Sequence, residues 1–363
     1  MFLASSGNTI APSRNFGKKY QEILCKEFPD FLKKYLGLKI LARLKGIGLL
    51  CGTDWTPLFH NRFYYSRYDH SLNCALIVWN WTRDKKMTLA ALLHDVSTPA
   101  FSHVIDFKNG DALTQESTED KNAAMIRSDS ELAAALAQDG LTAADVDDYH
   151  KYSICDNEVP QLSADRLEYM FPSGASLEGW FSLRAIKRFY GDLVLAKDER
   201  DNLEFAFKTK KIALDYFKRI LKIGYFLQRN KDKIAMELMA RVVDKAIACG
   251  ALREDELWLL SEREIIGRWD EMLEARETDA SLGTNEARDF LRLYKTYRTM
   301  KKVRGSSAPL DGYFCVQLAV KRRWINPLVG SRRICDVSAR AKKAAEKFLA
   351  YNDTPYACVK LAQ

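Results

Sequence analysis

Apolar residues recur every three or four positions through most of the first 300 residues of this 363-residue chain. The stretch 205-FAFKTKKIALDYFKRILKIGYFL-227 is typical, because its apolar side chains would line one face of a helix. This pattern predicts helices packed on helices, and therefore a mainly α fold built as a helical bundle. The predicted helices cover 20–50, 70–83, 86–97, 118–138, 162–171, 181–196, 203–228, 231–248, 254–278 and 284–302.

A link rich in helix breakers, 303-VRGSSAPLDG-312, separates this helical part from a different ending. Beyond it, apolar and other residues alternate over 314–320, which indicates a strand. We expect a second strand at 333–337, a helix at 338–350 and a third strand at 356–361. The ending is therefore predicted to be a small α+β unit.

The positive charge of the chain belongs to this ending. Residues 301–363 carry 13 Lys or Arg against four acidic residues, and the whole chain has a net charge of +8. We therefore expect a helical domain over 1–300 and a basic C-terminal α+β subdomain over 301–363. Its surface is either an ordinary solvated face or a site for phosphates, nucleic acid or another acidic partner. The run 321-KRRW-324, with an aromatic ring beside cations, fits the second alternative but does not decide between them.

The N-terminal stretch contains neither a basic leader nor an apolar segment of signal-peptide length. The most apolar stretch, 74-CALIVWNW-81, is too short to span a bilayer, so we expect a cytoplasmic protein without a membrane partner. The eight cysteines are dispersed and include no CxxC pair, which argues against a zinc knuckle or a redox motif. They are expected to be reduced thiols that serve in packing.

The apolar run 89-LAALL-93 leads directly into His94 and Asp95, and three of the five histidines lie between positions 70 and 103. A buried aspartate is rare unless it is paired or coordinates a metal ion. A divalent cation satisfies an imidazole and a carboxylate together, whereas a histidine packed in the core is the simpler alternative. Pro99 should end the helix and turn 101-FSHVID-106 back across the same pocket. We therefore expect a metal site in this segment.

Four motifs follow one another along the chain: 67-RYDHSL-72, 92-LLHDVSTPAFSHVID-106, 115-QES-117 and 165-DRLEY-169. In this order and at these separations they resemble the motifs of the HD-domain metal-dependent phosphohydrolases. The resemblance is to the branch that contains the bacterial dGTPases and the SAM-and-HD-domain dNTP triphosphohydrolase, and it covers roughly residues 25–200. It implies an HD-type helical bundle that hydrolyses phosphate ester or anhydride bonds, with nucleotides as the substrate class.

The resemblance implies one divalent metal ion held by His70, His94, Asp95 and Asp165. Two neutral imidazoles and two carboxylates suit Mn, Fe, Ni, Zn or Mg, and they leave two positions for water and a substrate oxygen. A second metal ion is not expected, since the chain has only three further histidines.

Three residues match substrate-binding positions of the family that contact phosphate: Arg67, Arg166 and Tyr169. The guanidinium fork of an arginine suits phosphate oxygens. The simpler alternatives are a solvated surface position for Arg67 and core packing for Tyr169.

Three further residues match catalytic positions. His103 and Asp106 match a pair in which the imidazole protonates the leaving oxygen and the carboxylate orients the ring. Glu116 matches a carboxylate that holds water at the metal. The resemblance therefore implies a proton-transfer site next to the metal site.

The chain departs from the family pattern at four positions. Thr98 replaces a histidine that follows the His-Asp pair, and Gln115 replaces the histidine before the glutamate. Leu49 stands where the branch often has a glutamine that binds the sugar or base, and Ser173 stands near an aspartate that binds the ribose 3′-hydroxyl. A site built to hydrogen-bond a hydroxyl discriminates strongly, so these losses should relax or redirect nucleotide specificity.

Three functions stay open on the sequence. A nucleotide phosphohydrolase is favoured, because the whole set of ligands is present. An HD enzyme that processes or binds nucleic acid through the basic ending is the second. A catalytically degenerate HD module that senses a nucleotide is the third, and Thr98 and Gln115 are the substitutions that motivate it. The sequence does not decide whether the chain forms a homo-oligomer.

Overall fold

The computed structural model describes residues 14–118, 120–278 and 284–363, and it is mainly α-helical. Residues 1–13, on which the prediction about a leader sequence partly rests, lie outside the described residues. The helices are α1 Arg14–Leu24, α2 Lys33–Leu36, α3 Lys39–Ala42, α4 Arg67–Thr82, α5 Lys85–Leu93, α6 Val104–Lys108, α7 Lys121–Ser128, α8 Ser130–Gln138, α9 Ala164–Leu177, α10 Leu183–Gly191, α11 Lys210–Leu227, α12 Asn230–Ala248, α13 Glu262–Thr278, α14 Asn285–Thr299, α15 Ile334–Val337 and α16 Ala339–Leu349. Short 3₁₀ turns lie at Asp30–Leu32, Arg43–Gly46, Thr53–Trp55, Ala143–Asp145, Tyr149–Lys151 and Glu254–Trp258. Within the described residues, no helix combines the length and the apolar character needed to cross a bilayer.

The strands are β1 Leu193–Lys197, β2 Leu203–Phe207, β3 Arg304–Ser306, β4 Tyr313–Val316, β5 Leu328–Val329, β6 Arg332–Arg333 and β7 Tyr356–Lys360. They form two small sheets with the strand orders β1-β2-β5-β6 and β3-β7-β4. A mainly α bundle with small C-terminal strands confirms the predicted fold class. Because β5 pairs in parallel with β2, backbone hydrogen bonds join the C-terminal part to the helical part. The domain boundary at residue 300 stays a prediction.

Three helices, α4, α5 and α9, carry the predicted metal ligands, and α4 packs against both of the others. Each begins at a capping side chain: Ser66, Asp84 and Ser163 accept a hydrogen bond from the backbone amide three residues further on. Residues 70–78 of α4 are all buried, so this helix is surrounded by protein. The caps fix where α4 and α9 begin, and therefore where their first turns meet.

After α5 the chain turns before α6 begins, as Pro99 predicts. Phe101 and Ser102 adopt left-handed backbone conformations, with φ of 66° and 52°. The side chain of Ser102 donates to the carbonyl of Gly48 at 3.1 Å, which joins the turn to the loop before α4. This turn places His103 on the wall of the same cavity as α4.

Glu262, the first residue of α13, also joins these two segments. Its buried carboxylate accepts hydrogen bonds from the backbone amides of Gly48 (3.0 Å) and Phe101 (3.1 Å) and from Nε1 of Trp55 (2.7 Å). Burial raises the pKa of Glu262 to about 7, against the effect of these three donors. One distant carboxylate therefore positions both loops that border the cavity.

Glu262→Ala should lower the free energy of unfolding by about 2–4 kcal/mol, because three buried donors lose their acceptor. Glu271→Ala, at an exposed position of the same helix, should change it by less than about 0.5 kcal/mol. Urea unfolding followed by circular dichroism measures both. Equal stability of the wild-type and Glu262→Ala proteins would contradict the role assigned to this carboxylate.

The structure corrects several predicted elements. The hairpin of β1 and β2 occupies parts of the predicted helices 181–196 and 203–228, because a short apolar run does not distinguish a buried strand from a helix. The predicted helix 20–50 is divided into short pieces, and Pro29 lies in the first break. Within 118–138, Asp129 ends α7 and caps α8.

Two predicted strands are also corrected. The strand predicted over 314–320 ends at Val316, where its pairing with β7 ends. The segment predicted as a strand at 333–337 forms the short helix α15 after a hairpin that turns at Gly330 (φ +61°).

The cysteine prediction is wrong for one pair. Cys315 on β4 and Cys358 on β7 lie directly opposite each other and form a disulfide. Their separation of 43 residues gives no signal in the sequence, since only the strand pairing brings them together. The other six are free thiols: Cys25, Cys51, Cys74, Cys155, Cys249 and Cys335.

Candidate metal centre

The structure brings the four predicted ligands together at the wall of one cavity: His70, His94, Asp95 and Asp165. His70 and Asp165 lie in the first turns of α4 and α9, while His94 and Asp95 follow the end of α5. The amino terminus of α9 also favours the negative charge of Asp165. Three helix ends therefore direct imidazoles and carboxylates toward one point.

The distances between these side chains suit one small cation. Nε2 of His70 lies 3.2 Å from Nε2 of His94 and 3.0 Å from Oδ1 of Asp165. Oδ2 of Asp95 lies 3.8 Å from Nε2 of His70 and 3.7 Å from Nε2 of His94, which is also 3.7 Å from Oδ1 of Asp165. In an octahedral site with bonds of about 2.1 Å, neighbouring ligands stand about 3 Å apart and opposite ligands about 4.2 Å apart. The observed separations lie within these limits.

The other nitrogen of each imidazole already has an acceptor. Nδ1 of His70 lies 2.5 Å from Oε2 of Glu168, and Nδ1 of His94 lies 2.7 Å from the carbonyl oxygen of Ala91. Protonation at Nδ1 satisfies both contacts and leaves each Nε2 lone pair facing the cluster. Two lone pairs and two carboxylates then face one another. A proton can bridge one pair of these acceptors, whereas a divalent metal ion satisfies all four.

The charges in the cluster also favour a cation. Burial alone would raise the pKa of Asp95, but Arg67 and the two imidazoles hold it well below its usual range. The pKa of Asp165 is lowered against burial in the same way, chiefly by His70. Burial would lower the pKa of His70, but its neighbours, first Cys74 and then Glu168, raise it well above its usual range. The cluster therefore attracts positive charge strongly.

Cys74 is a donor that the sequence analysis did not identify. It lies one turn after His70, and its Sγ is 3.7 Å and 3.8 Å from the two nitrogens of that ring. The ligand atoms of His70, Cys74, His94 and Asp165 all lie within 4.8 Å of one another. However, burial raises the pKa of Cys74 well above its usual range, which favours the neutral thiol over the thiolate that binds metals. Asp95, whose pKa is held low, can bind a cation without first losing a proton, and it stays the predicted fourth ligand.

The two predicted phosphate-binding arginines both line the cavity, and both contact carboxylates. NH1 of the buried Arg67 lies 2.9 Å and 3.2 Å from the two oxygens of Asp95. NH2 of Arg166 donates to Oδ1 of Asn157 at 2.6 Å and lies 3.0 Å from Oδ1 of Asp156. Arg67 is thus directly beside a predicted ligand, whereas Arg166 is held by a neighbouring loop.

The predicted catalytic pair also lies together. His103 lines the cavity, and its Nδ1 is 2.9 Å from Oδ2 of Asp106. Asp106 is fully buried, and its other oxygen accepts from the Ser117 hydroxyl at 2.6 Å. Burial, together with Arg323 and Arg67, lowers the pKa of His103 to about 4 despite Asp106. The ring is therefore neutral at physiological pH, with Nδ1 donating to Asp106 and Nε2 left as an acceptor.

Glu116 and Tyr169 lie on the cavity wall, each beside a residue of the C-terminal part. The Glu116 side chain is 58% exposed, and its Oε1 lies 3.2 Å from Nζ of Lys321. The ring of Tyr169 lies 5.8 Å from the guanidinium of Arg323. The role of Glu116 in holding water at the metal stays a prediction, because the contact seen in the structure is with Lys321.

The cavity has a volume of about 590 Å³, which is typical of small-molecule sites. Leu49 and Ser173, at the positions where the family has polar groups, both line it. So do residues that the sequence analysis gave no role at this site: Tyr149, His150, Asp156, Asp232, Lys321 and Arg323. Among these, only the basic run 321–324 carried a sequence signal, and that signal did not decide between a solvated face and a site for an acidic partner.

Comparisons with known proteins give a sequence relative and a shared fold. No protein-family profile matches the chain. It is 25% identical over 232 residues to the uncharacterized protein YdhJ of Bacillus subtilis (strain 168). The aligned residues make up 62% of this chain and 66% of YdhJ.

Among solved structures, a phosphohydrolase from Bacteroides thetaiotaomicron is similar with a TM-score of 0.57 and 13% identity, over 92% of this chain and 96% of that one. A hypothetical protein from Aquifex aeolicus is similar with a TM-score of 0.53 and 15% identity, over 92% and 93% of the two chains. At such identities the likeness shows a common fold.

Proposed function

We propose that this chain is a metal-dependent phosphohydrolase of the HD type, in the dGTPase-like branch, and that it acts on nucleotides. The observation that carries the proposal is the convergence of two imidazole Nε2 atoms and two carboxylates at the wall of a substrate-sized cavity. The fold shared with a phosphohydrolase supports the reaction class. The order of the four motifs along the chain supports the branch.

His70, His94, Asp95 and Asp165 would hold one divalent ion, for which Mn, Fe, Ni, Zn and Mg are the candidates. When bound, such an ion supplies Lewis-acid chemistry, since it makes water a stronger nucleophile and polarises a phosphoryl oxygen. Glu168 keeps His70 in the tautomer that presents Nε2. The chain therefore supplies both the ligands and the hydrogen bond that orients one of them.

His103 would move the proton in this reaction. Its neutral ring donates from Nδ1 to Asp106 and offers Nε2 to the cavity. It can accept a proton from the attacking water and then give it to the leaving oxygen, while Asp106 orients the ring and stabilises its charged form. The predicted acid would thus begin the reaction unprotonated, in accord with its lowered pKa.

Discrimination among nucleotides should be weak. Leu49 has no side-chain hydrogen-bonding atom, and Ser173 offers a shorter, uncharged group than the aspartate of the related motif. We expect the values of kcat/KM for the four dNTPs and four NTPs to differ by less than about a thousandfold. Initial rates of product release at one metal concentration test this. A larger preference for one nucleotide would require polar contacts that these two positions do not provide.

A hydrolysis screen over dNTPs, NTPs, nucleoside monophosphates and short oligonucleotides tests the proposed function. Chelator-sensitive hydrolysis of nucleotides is the expected result. Hydrolysis of oligonucleotides alone, with binding that weakens steeply as salt increases, would favour the nucleic-acid enzyme instead. Nucleotide binding without turnover would favour the degenerate sensor.

A further inference from the structure

The segment 317–327, between β4 and β5, forms neither helix nor strand and borders the cavity. We call this segment the strap. Hydrogen bonds to its backbone attach it to the helical part: the amide of Lys321 donates to the carbonyl of Ala112 (3.1 Å), the side chain of Gln228 donates to the carbonyl of Lys321 (3.0 Å), and the amide of Asn326 donates to the carbonyl of Pro160 (2.7 Å). The strap is therefore an integral part of the cavity wall.

Arg323 of the strap has neutral neighbours. Its NH2 donates to Oε1 of Gln115 at 2.5 Å, and its guanidinium lies 5.8 Å from the centroid of the Tyr169 ring. Within the described part of the chain, no carboxylate oxygen lies in ion-pair contact with it. The other three Lys and Arg side chains of the cavity wall each have such a partner, in the pairs Arg67–Asp95, Arg166–Asp156 and Lys321–Glu116.

Arg323 lies on the same cavity wall as His103, the predicted proton-transfer residue. Arg323 and Arg67 both lower the pKa of His103, so both positive charges act on the ring that would transfer the proton. Burial raises the pKa of Asp232 on α12 to about 7, although the charge of Arg323 lowers it. The carboxyl of Asp232 is therefore partly protonated at neutral pH and compensates the guanidinium incompletely.

We infer that Arg323 is a substrate-binding residue, and that it binds the phosphoryl group next to the one at the metal centre. A guanidinium with neutral neighbours in a partly enclosed cavity is complementary to phosphate oxygens. Gln115, which replaces a histidine of the family motif, orients this guanidinium through its amide oxygen. The strap thus adds a phosphate contact to those predicted at Arg67, Arg166 and Tyr169. The inference rests on the proposed function.

Calorimetric titration of the full-length, metal-loaded protein with inorganic phosphate and inorganic tripolyphosphate tests this role without requiring turnover. Arg323→Gln should weaken tripolyphosphate binding by about 10- to 100-fold, and the loss should exceed that for phosphate by at least about tenfold. Arg323→Lys, which keeps the charge but loses the fork, should lie between the two proteins. Arg340→Gln removes an exposed charge from α16 of the same basic part and serves as the matched control.

The outcomes separate this inference from the proposed function. Equal tripolyphosphate affinity in the wild-type, Arg323→Gln and Arg323→Lys proteins would overturn the role of Arg323 alone. An equal loss in the Arg340→Gln control would overturn it as well, because the effect would then be one of overall charge. Failure of the wild-type protein to bind either anion with any divalent metal would overturn the proposed function too. Thermal melting of each variant establishes that it is folded. If Arg323→Gln does not fold, the tripolyphosphate affinity of Arg323→Lys relative to the wild-type protein tests the role of Arg323.

Discussion

Asp95→Ala protein should contain no stoichiometric divalent metal and should show no metal-dependent hydrolysis. Asp95 supplies one of the two carboxylates that face the imidazoles, and its pKa is held low enough to keep it ionised. Removing a direct ligand should cost more metal affinity than the roughly 10- to 100-fold loss that follows removal of an outer hydrogen bond. Metal analysis by mass spectrometry and rate measurements on the same preparation test both parts.

Two further variants control this experiment. Asp95→Ala also removes the carboxylate partner of the buried Arg67, so the variant must be shown to keep its helical circular dichroism spectrum. Asp95→Asn keeps an oxygen acceptor for Arg67 and should still bind metal poorly. Cys74→Ser should retain metal and activity, because the thiol is expected to stay protonated. Metal lost from Cys74→Ser but retained in Asp95→Ala would assign the fourth position to the cysteine.

His103→Ala should retain its metal but turn over about 10²- to 10⁴-fold more slowly, because proton transfer would lose its positioned group. His60→Ala replaces an exposed histidine outside the metal-site cavity and should leave the rate unchanged. Steady-state kcat, compared at equal metal occupancy, measures the effect. Equal turnover of the His103→Ala and wild-type proteins would make His103 a packing residue.

The pH dependence of the hydrolysis rate is a second test of the proton-transfer role of His103. The pKa of His103 is lowered to about 4, so its neutral form predominates above that pH. Activity that requires the neutral ring should be present at neutral pH and should fall as the pH decreases through about 4. The pH profile of kcat/KM for the His103→Ala protein should lack this decrease, provided that metal occupancy is measured at each pH.

The sequence was informative where local pattern and chemistry coincide. A buried aspartate close behind an apolar run requires a partner, and this requirement indicated a metal site at His94 and Asp95. The structure brings both residues together with His70 and Asp165. Glu168 was not predicted from the sequence. It lies three residues after Asp165 on the same helix, and this spacing marks it as a neighbour of the site.

Other features depend on contacts between distant parts of the chain. Arg323 contacts Gln115 across 208 residues, and no local pattern relates the two positions. The short apolar run of β2 is compatible with either a buried helix or a strand, and its pairing with β1 and β5 makes it a strand. Arg166 matches a phosphate-binding motif, but the sequence did not reveal that Asp156 and Asn157 engage its guanidinium. The local pattern therefore indicated His94 and Asp95, and the motif resemblance added His70 and Asp165, whereas most of the remaining cavity wall required the tertiary structure.

The most direct test of the central claim is a metal titration of chelator-treated wild-type protein, with nucleotide hydrolysis as the readout. One site formed by His70, His94, Asp95 and Asp165 predicts that activity is absent without metal and reaches its maximum at one divalent ion per chain. Full activity in the metal-free protein, or no hydrolysis of any nucleotide with Mn, Fe, Ni, Zn or Mg at full occupancy, would contradict it.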